Sequence, residues 1–417
     1  MERYREGVHG TRHGISEGGE QVNDLCVIKF GGTCLSTGED RQRSVDLCIS
    51  ELASYRKAVV VVSAMGRKGD PYSTDTLLEL VSAPIPHERS CLLACGEVIS
   101  AAVFADMLRQ RGIAASAITG WNAGLRTDDH HCGAELESIE TEYLNASLKE
   151  NDCVVVAGFQ GMSSNGTIST LRRGGSDISA TAIAAALNAD ELMLFKKIDS
   201  VYTADPQRVP GALKVDRISA EDIRELAWLG AEVVHPRASE IAGNAGIRIS
   251  VKSHRTGEQV TGIEPFVIRN GRYITGVASG SDAVQFRIRT DSYASLHEFY
   301  SHVFGLVADA GVSMDMFSVF NAAAMFTVSL EDEEVVSGVL DGSGIVFETV
   351  SPCAKVSIVG AGMHGIQGVM ARFSSALDRA GIDMLQTVDS HATISALVHL
   401  QKRDEALRAL HREFLEQ

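Results

Sequence analysis

Apolar positions in the first two thirds of the chain cluster into short runs that stop at glycine. Residues 25–30 lead into Gly31-Gly32-Thr33, and the valine-rich run 58–62 passes through Ser63-Ala64-Met65 to Gly66. β-Branched runs of this length, ended by glycine, predict buried parallel strands that open into loops. The same reading predicts strands at 114–118, 153–157, 191–195 and 248–251, with helical patterns between them at 41–55, 90–111 and 178–187. That alternation predicts an α/β fold, a central mainly parallel sheet between helices.

Beyond about residue 275 the pattern changes to a repeat. Val307-Ala308-Asp309-Ala310-Gly311-Val312-Ser313-Met314-Asp315 is echoed by Leu377-Asp378-Arg379-Ala380-Gly381-Ile382-Asp383-Met384-Leu385. Each copy reads as an amphipathic helix closed by a left-handed glycine and followed by a strand, so two small βαββαβ units are expected. The boundary falls within 271–281. The expected organisation is an N-terminal extension at 1–24, a large domain at 25–275, and two α+β units at 276–350 and 351–417.

Charge and cysteine usage narrow the partners. A formal net charge of -16 over 417 residues disfavours nucleic acid and anionic membrane surfaces, which would be repelled. The eight cysteines form no Cys-x-x-Cys pair and several sit in apolar runs, as expected of a reduced, cytoplasmic protein. Residues 1–24 are charged and glycine-rich, unlike a signal peptide, and no continuous run of about eighteen apolar residues occurs. Small molecules and protein partners remain.

Three clusters carry candidate chemistry. Lys29-Phe30-Gly31-Gly32-Thr33-Cys34 puts a lysine at a strand end and glycines in the next turn. Phosphoryl transfer needs cations and backbone amides close to phosphate oxygens, although an ordinary strand-to-helix turn has the same form. Thr170-Leu171-Arg172-Arg173-Gly174-Gly175-Ser176-Asp177 precedes an alanine-rich helix; it offers amides to an anion and Arg173 to a carboxylate, or is a solvated loop. Cys95-Gly96-Glu97 lies in a helical stretch, where Glu97 suits an ammonium ligand or is a surface carboxylate.

These clusters occur in order with 60–76, Val156-Ala157-Gly158-Phe159-Gln160-Gly161, 201–206 and 229–237, and in that order the chain resembles the aspartate kinases, in particular the diaminopimelate-pathway branch of spore-forming bacteria. The resemblance spans nearly all of 25–417. It implies an amino-acid-kinase domain followed by tandem ACT domains, and transfer of the ATP γ-phosphoryl group to the side-chain carboxylate of L-aspartate. It further implies catalytic roles for Lys29 and Asp177, and a substrate pocket of Thr74, Glu97, Phe159, Arg173 and Ser176. Nucleotide contacts are implied for Gly31, Gly32, Lys196, Lys197, Tyr202, Arg208 and Glu232, with Mg2+ accompanying ATP. Met314 and Asp315, and the loop 359–363, lie where ACT domains hold an amino-acid effector, usually across a homodimer interface.

Departures concentrate in the nucleotide half. Lys196, Lys197 and Ser200 stand where the family has a Ser or Thr, an Asp and a Gly; Gln207 and Glu232 replace an arginine and a lysine; Arg172 replaces a glycine and Cys34 a serine. Two readings stay open. Lys197 and Glu232 form a swapped ion pair and a neighbouring lysine takes over the phosphate contact, or ATP binding is lost and the protein is an amino-acid-sensing paralogue. A kinase of a specialised pathway acting on another acidic amino acid is a third.

Overall fold

The computed structural model describes residues 23–416 apart from 232, 268–272, 290–294, 321–322 and 364, so all but the last two residues of the expected extension, and Glu232, lie outside it. The apolar runs form an eight-stranded sheet. Its order is Arg217–Ser219, Gln259–Glu264, Ile249–Ser253, Glu191–Lys196, Asn23–Phe30, Tyr55–Val62, Cys153–Ala157 and Ala115–Ile118. Pairing is parallel except between Ile249–Ser253 and Gln259–Glu264.

Side chains alternate across a strand, and here both faces are covered. Cys26, Ile28, Phe30, Val60, Met193 and Phe195 pack beneath the helices Gly38–Leu52 and Pro86–Gln110. Val27, Val59, Val61, Leu192 and Leu194 face the helices Gly175–Ala186, Ala220–Trp228 and Pro236–Ala245. The helix Pro86–Gln110 is long and apolar enough to cross a membrane by length and composition alone, yet it buries Phe104, Ala105 and Leu108 in this core.

Helices begin three or four residues earlier than hydrophobic periodicity predicts, because polar caps set their starts. Thr37 and Asp40 form a reciprocal capping box before Gly38–Leu52, and a proline opens Pro86–Gln110. A five-stranded sheet (Cys132–Ala134, Ile168–Leu171, Gln160–Ser163, Leu125–Thr127, Leu136–Ile139) was not foreseen. Its strands have three or four residues each, too few to show a period.

The repeat forms one six-stranded sheet ordered Asp315–Val319, Ala323–Ser329, Gly276–Arg289, Phe347–Val359, Thr393–His399 and Gln386–Asp389. The two central strands pair along most of their length, from Gly276 against Val359 to Ile288 against Phe347. The two long central strands therefore serve both units, and the pairing runs across residue 350. Contacts tie this part to the large domain. Thr203 Oγ1 lies 2.8 Å from His411 Nε2, and Arg208 Nη1 donates to Asp404 Oδ1 at 2.7 Å. Asp222 accepts from the backbone N–H of Ala361 at 2.7 Å and from the Thr275 hydroxyl at 3.0 Å.

Candidate active site

Strand parity decides which basic residues meet. Lys29 shares a face with Val27, and Lys196 shares one with Leu192 and Leu194, so both turn toward the helix Gly175–Ala186. Asp177 sits in the first turn of that helix, almost fully buried. Lys29 Nζ is 2.6 Å from Asp177 Oδ1 and Lys196 Nζ is 3.1 Å from Oδ2. The contact with Lys29 is an ion pair without hydrogen-bond geometry, which leaves Oδ1 able to accept another donor. Burial alone would push the Asp177 carboxyl up, but the ammonium groups of Lys196 and Lys29 hold it well below the usual carboxylate range. Burial in turn pushes Lys196 down, against the pull of Asp177.

Lys197 has the other parity and leaves on the far side. Its Nζ is 2.6 Å from Asp40 Oδ1 at the helix cap. The exchange of charge expected between Lys197 and Glu232 involves a residue outside those described; Lys197 itself pairs with Asp40.

These groups open into a cleft of about 790 Å³. Gly32, Thr74, Glu97, Phe159, Arg173 and Ser176 line it together with Lys29, Asp177 and Lys196. Glu97 projects from mid-helix and is 2 % exposed. Its Oε1 accepts from the Ala64 N–H at 2.9 Å while Oε2 is buried without a partner. Burial pushes its carboxyl up to about 8, against the Ala64 amide and the charge of Lys29.

Two backbone features shape the wall. Phe159 has φ of 68°, a left-handed conformation that a bulky side chain adopts only when its surroundings impose it. Its N–H donates to Ser179 Oγ at 3.0 Å and its carbonyl accepts from the Leu171 N–H at 2.8 Å. Gly174 caps the Asp177 helix at φ of 80°, where a Cβ would lie 2.6 Å from the His235 ring. The glycine this loop needs is Gly174, so Arg172 stands in ordinary backbone and pairs outward with Glu135. Arg173 is at the mouth, its side chain 91 % exposed and its Nη2 2.8 Å from Asp75 Oδ1.

Four sequence-predicted residues do not line the cleft. Gly31 lies beside it as the N-cap of a short turn, its Cα direction pointing at Lys29 Nζ. Tyr202 donates to Asp199 at 3.0 Å, Arg208 is locked to Asp404 and Asp205, and Lys197 is held by Asp40. Cys34 is fully buried, its thiol is pushed up by burial, and it fills space beneath the strand end. Met314 packs under the first repeat unit, and both Asp315 oxygens take the Lys355 ammonium, at 2.8 and 3.0 Å.

Sequence reasoning passed over Arg67, Arg89, Asp75, Trp228 and His235, which also line the cleft. Arg89 was within reach, since 89, 93 and 97 recur at helical spacing on the face that carries Glu97. The lining carries five Lys or Arg against three carboxylates in a protein of net charge -16, so the cleft's charge runs against that of the whole chain. For the magnesium expected with ATP, the described carboxylate between Lys29 and Lys196 is Asp177, which is already held by two ammonium groups.

Comparison with known proteins agrees with this geometry. The Amino acid kinase family profile matches residues 24–253 and an ACT domain profile matches 348–412. The chain is 39% identical over 400 residues to Aspartokinase 1 of Bacillus subtilis, covering 94% of this chain and 98% of the relative. It is 34% identical to an aspartokinase of Geobacillus stearothermophilus, covering 94% and 97%. Its fold matches E. coli aspartokinase III in complex with aspartate and ADP (R-state), with a TM-score of 0.76 at 23% identity, covering 94% of this chain and 100% of that one. By its kinase and ACT regions and by full-length identity to these relatives, the chain belongs to the aspartokinase family.

Proposed function

We propose that this protein is an aspartate kinase, transferring the γ-phosphoryl group of ATP to the side-chain carboxylate of L-aspartate to give 4-phospho-L-aspartate. This product opens the routes to diaminopimelate, lysine and threonine. The observation that carries the reading is the convergence of a buried Glu97, its Oε2 without a partner, and the Lys29–Asp177–Lys196 cluster in one cleft.

Each residue has a role its surroundings support. Glu97 Oε2 receives the substrate ammonium, and the exposed guanidinium of Arg173 exchanges Asp75 for the α-carboxylate, a planar partner it can grip with two N–H groups. Thr74, Phe159 and Ser176 bound the side-chain carboxylate. That carboxylate is ionised at neutral pH and attacks phosphorus directly, so no base is required. Lys29 neutralises the charge on the equatorial oxygens, while Asp177 fixes the position of its ammonium group.

Amino-acid feedback at the ACT domains acts through contacts such as Asp222 with Ala361, since the helix bearing Asp222 ends at Trp228 in the cleft wall. Asp315 and Met314 are the proposed effector residues, with Lys355 the ammonium that a ligand displaces. A homodimer through the ACT sheet is supported by Phe317, 62 % exposed on an edge strand. Eight free thiols support a reducing, cytoplasmic location.

Incubating purified protein with ATP, magnesium chloride, L-aspartate and hydroxylamine tests the reaction. Aspartyl hydroxamate formed only when both substrates are present supports it. Absence of hydroxamate from protein that binds L-aspartate by calorimetry overturns it.

A further inference from the structure

The phosphate side of the cleft holds one carboxylate between two ammonium groups. The side chains of Lys29 and Lys196 are 8% and 20% exposed and that of Asp177 is 5% exposed, so the trio keeps one net positive charge largely out of water. An unpaired buried charge is costly and calls for a counterion. The other buried carboxylate, Glu97, is bound through Oε1 to Ala64 and does not pair with either lysine. The helix Gly175–Ala186 adds an N-terminus without a side-chain cap on the same wall, a further site of positive potential. All three features favour an anion.

A divalent cation meets the reverse conditions. Magnesium takes six oxygen ligands and is usually anchored to protein through one or two carboxylates. Among the described residues Asp177 is the sole carboxylate in ion-pair contact with Lys29 and Lys196, and a metal bound to it would face two like charges at ion-pair distance. Lys196 is directed there by strand parity, so its charge is a built part of the wall.

Resting on the kinase reading above, we propose that Lys196 takes the place of a protein-anchored divalent cation, and that this cleft binds the polyphosphate of ATP and ADP in metal-free form. Two ammonium groups and the helix terminus then supply the neutralisation that an anchored metal would provide, and magnesium adds little to nucleotide affinity.

Isothermal titration of the full-length protein with ADP, once in excess EDTA and once in excess magnesium chloride, tests this. The expected result is metal-free affinity within about threefold of the magnesium form, a loss of about tenfold or more in EDTA for Lys196→Ser, and retention in Lys196→Arg, since charged hydrogen bonds to phosphate are strong. Binding at least about tenfold tighter with magnesium, or unchanged metal-free binding in Lys196→Ser, overturns the proposal and leaves the kinase reading standing. Failure of ADP and ATP to bind in either form overturns both. Circular dichroism establishes that the variants fold, and if Lys196→Ser does not, the two titrations of the unaltered protein still decide.

Discussion

Glu97 and Asp177 are two carboxylates buried to the same degree in the same cleft, 2% and 4% exposed, yet they are driven in opposite directions. Desolvation acts on both and raises both. Asp177 has Lys196 and Lys29 against its oxygens and stays ionised, whereas Glu97 has one backbone N–H and a free oxygen and is pushed up to about 8. Burial therefore does not set charge here; the partners do. On the proposed reading, the phosphate half is a charged cluster made within the protein, and the acceptor half leaves Glu97 Oε2 for the ligand.

The phosphate half gives the harshest test. Lys29→Met removes the cation nearest the transferring group and leaves Asp177 paired with Lys196 alone. A fall in kcat of about a thousandfold is expected, the scale for losing a preorganised charge contact, with L-aspartate binding kept. Turnover above a tenth of the original in the hydroxamate assay would show that the cluster serves the fold and not the reaction.

The acceptor half gives a smaller effect with a pH signature. Glu97→Gln is expected to raise KM for L-aspartate about a hundredfold, since an ammonium loses its charged partner. In the unaltered protein KM should fall as pH rises toward about 8, because ionised Glu97 is the form that takes the ammonium. Stability runs the other way. The folded protein holds the Glu97 proton up to about 8 while the unfolded chain releases it near 4.5, so between these values the folded state binds more protons and loses stability as pH rises. Denaturant titrations at several pH values should show this slope in the unaltered protein and its absence in Glu97→Gln.

Arg173 tests the same half at its rim. Its guanidinium is exposed and held by Asp75, so Arg173→Lys keeps the charge and loses the fork. A rise of about tenfold in KM for L-aspartate with little change in kcat is expected, and an equal fall in both kcat and kcat/KM would mean that Arg173 contacts only the transition state.

How much of this was legible depended on whether a residue's role followed from its own strand or helix. The parallel sheet was readable because runs such as 58–62 and 153–157 are buried on both faces and so are continuously apolar. Glu97 and Asp177 were readable as candidates, but not their opposite charge states, which arise from Ala64, Lys29 and Lys196 arriving from other elements. The interleaved ACT strands were illegible for a similar reason, since the partner of Gly276 is Val359, far along the chain. Arg208 was assigned to the nucleotide by its neighbours in sequence, and only packing shows that Asp404 holds it.

The smallest expected effect sharpens the comparison most. Lys196 and Lys197 are adjacent, equally charged and both foreign to the family pattern, but parity separates them: Lys196 follows Leu192 and Leu194 into the cleft, and Lys197 follows Met193 and Phe195 to the other face. There it meets Asp40, whose carboxyl burial would raise but which Lys197, Ser36 and Thr37 hold well below its usual range. Lys197 is 44% exposed, so solvent screens the pair and its loss should cost about 0.5–1 kcal/mol at most. Lys197→Ser should thus lower the denaturation midpoint slightly and leave KM for ATP within about twofold, because its charge contributes to the helix cap and not to the ligand. A change in KM for ATP as large as that caused by Lys196→Ser would mean that net positive charge at the strand end matters and its direction does not, and the distinction drawn from strand parity would fall.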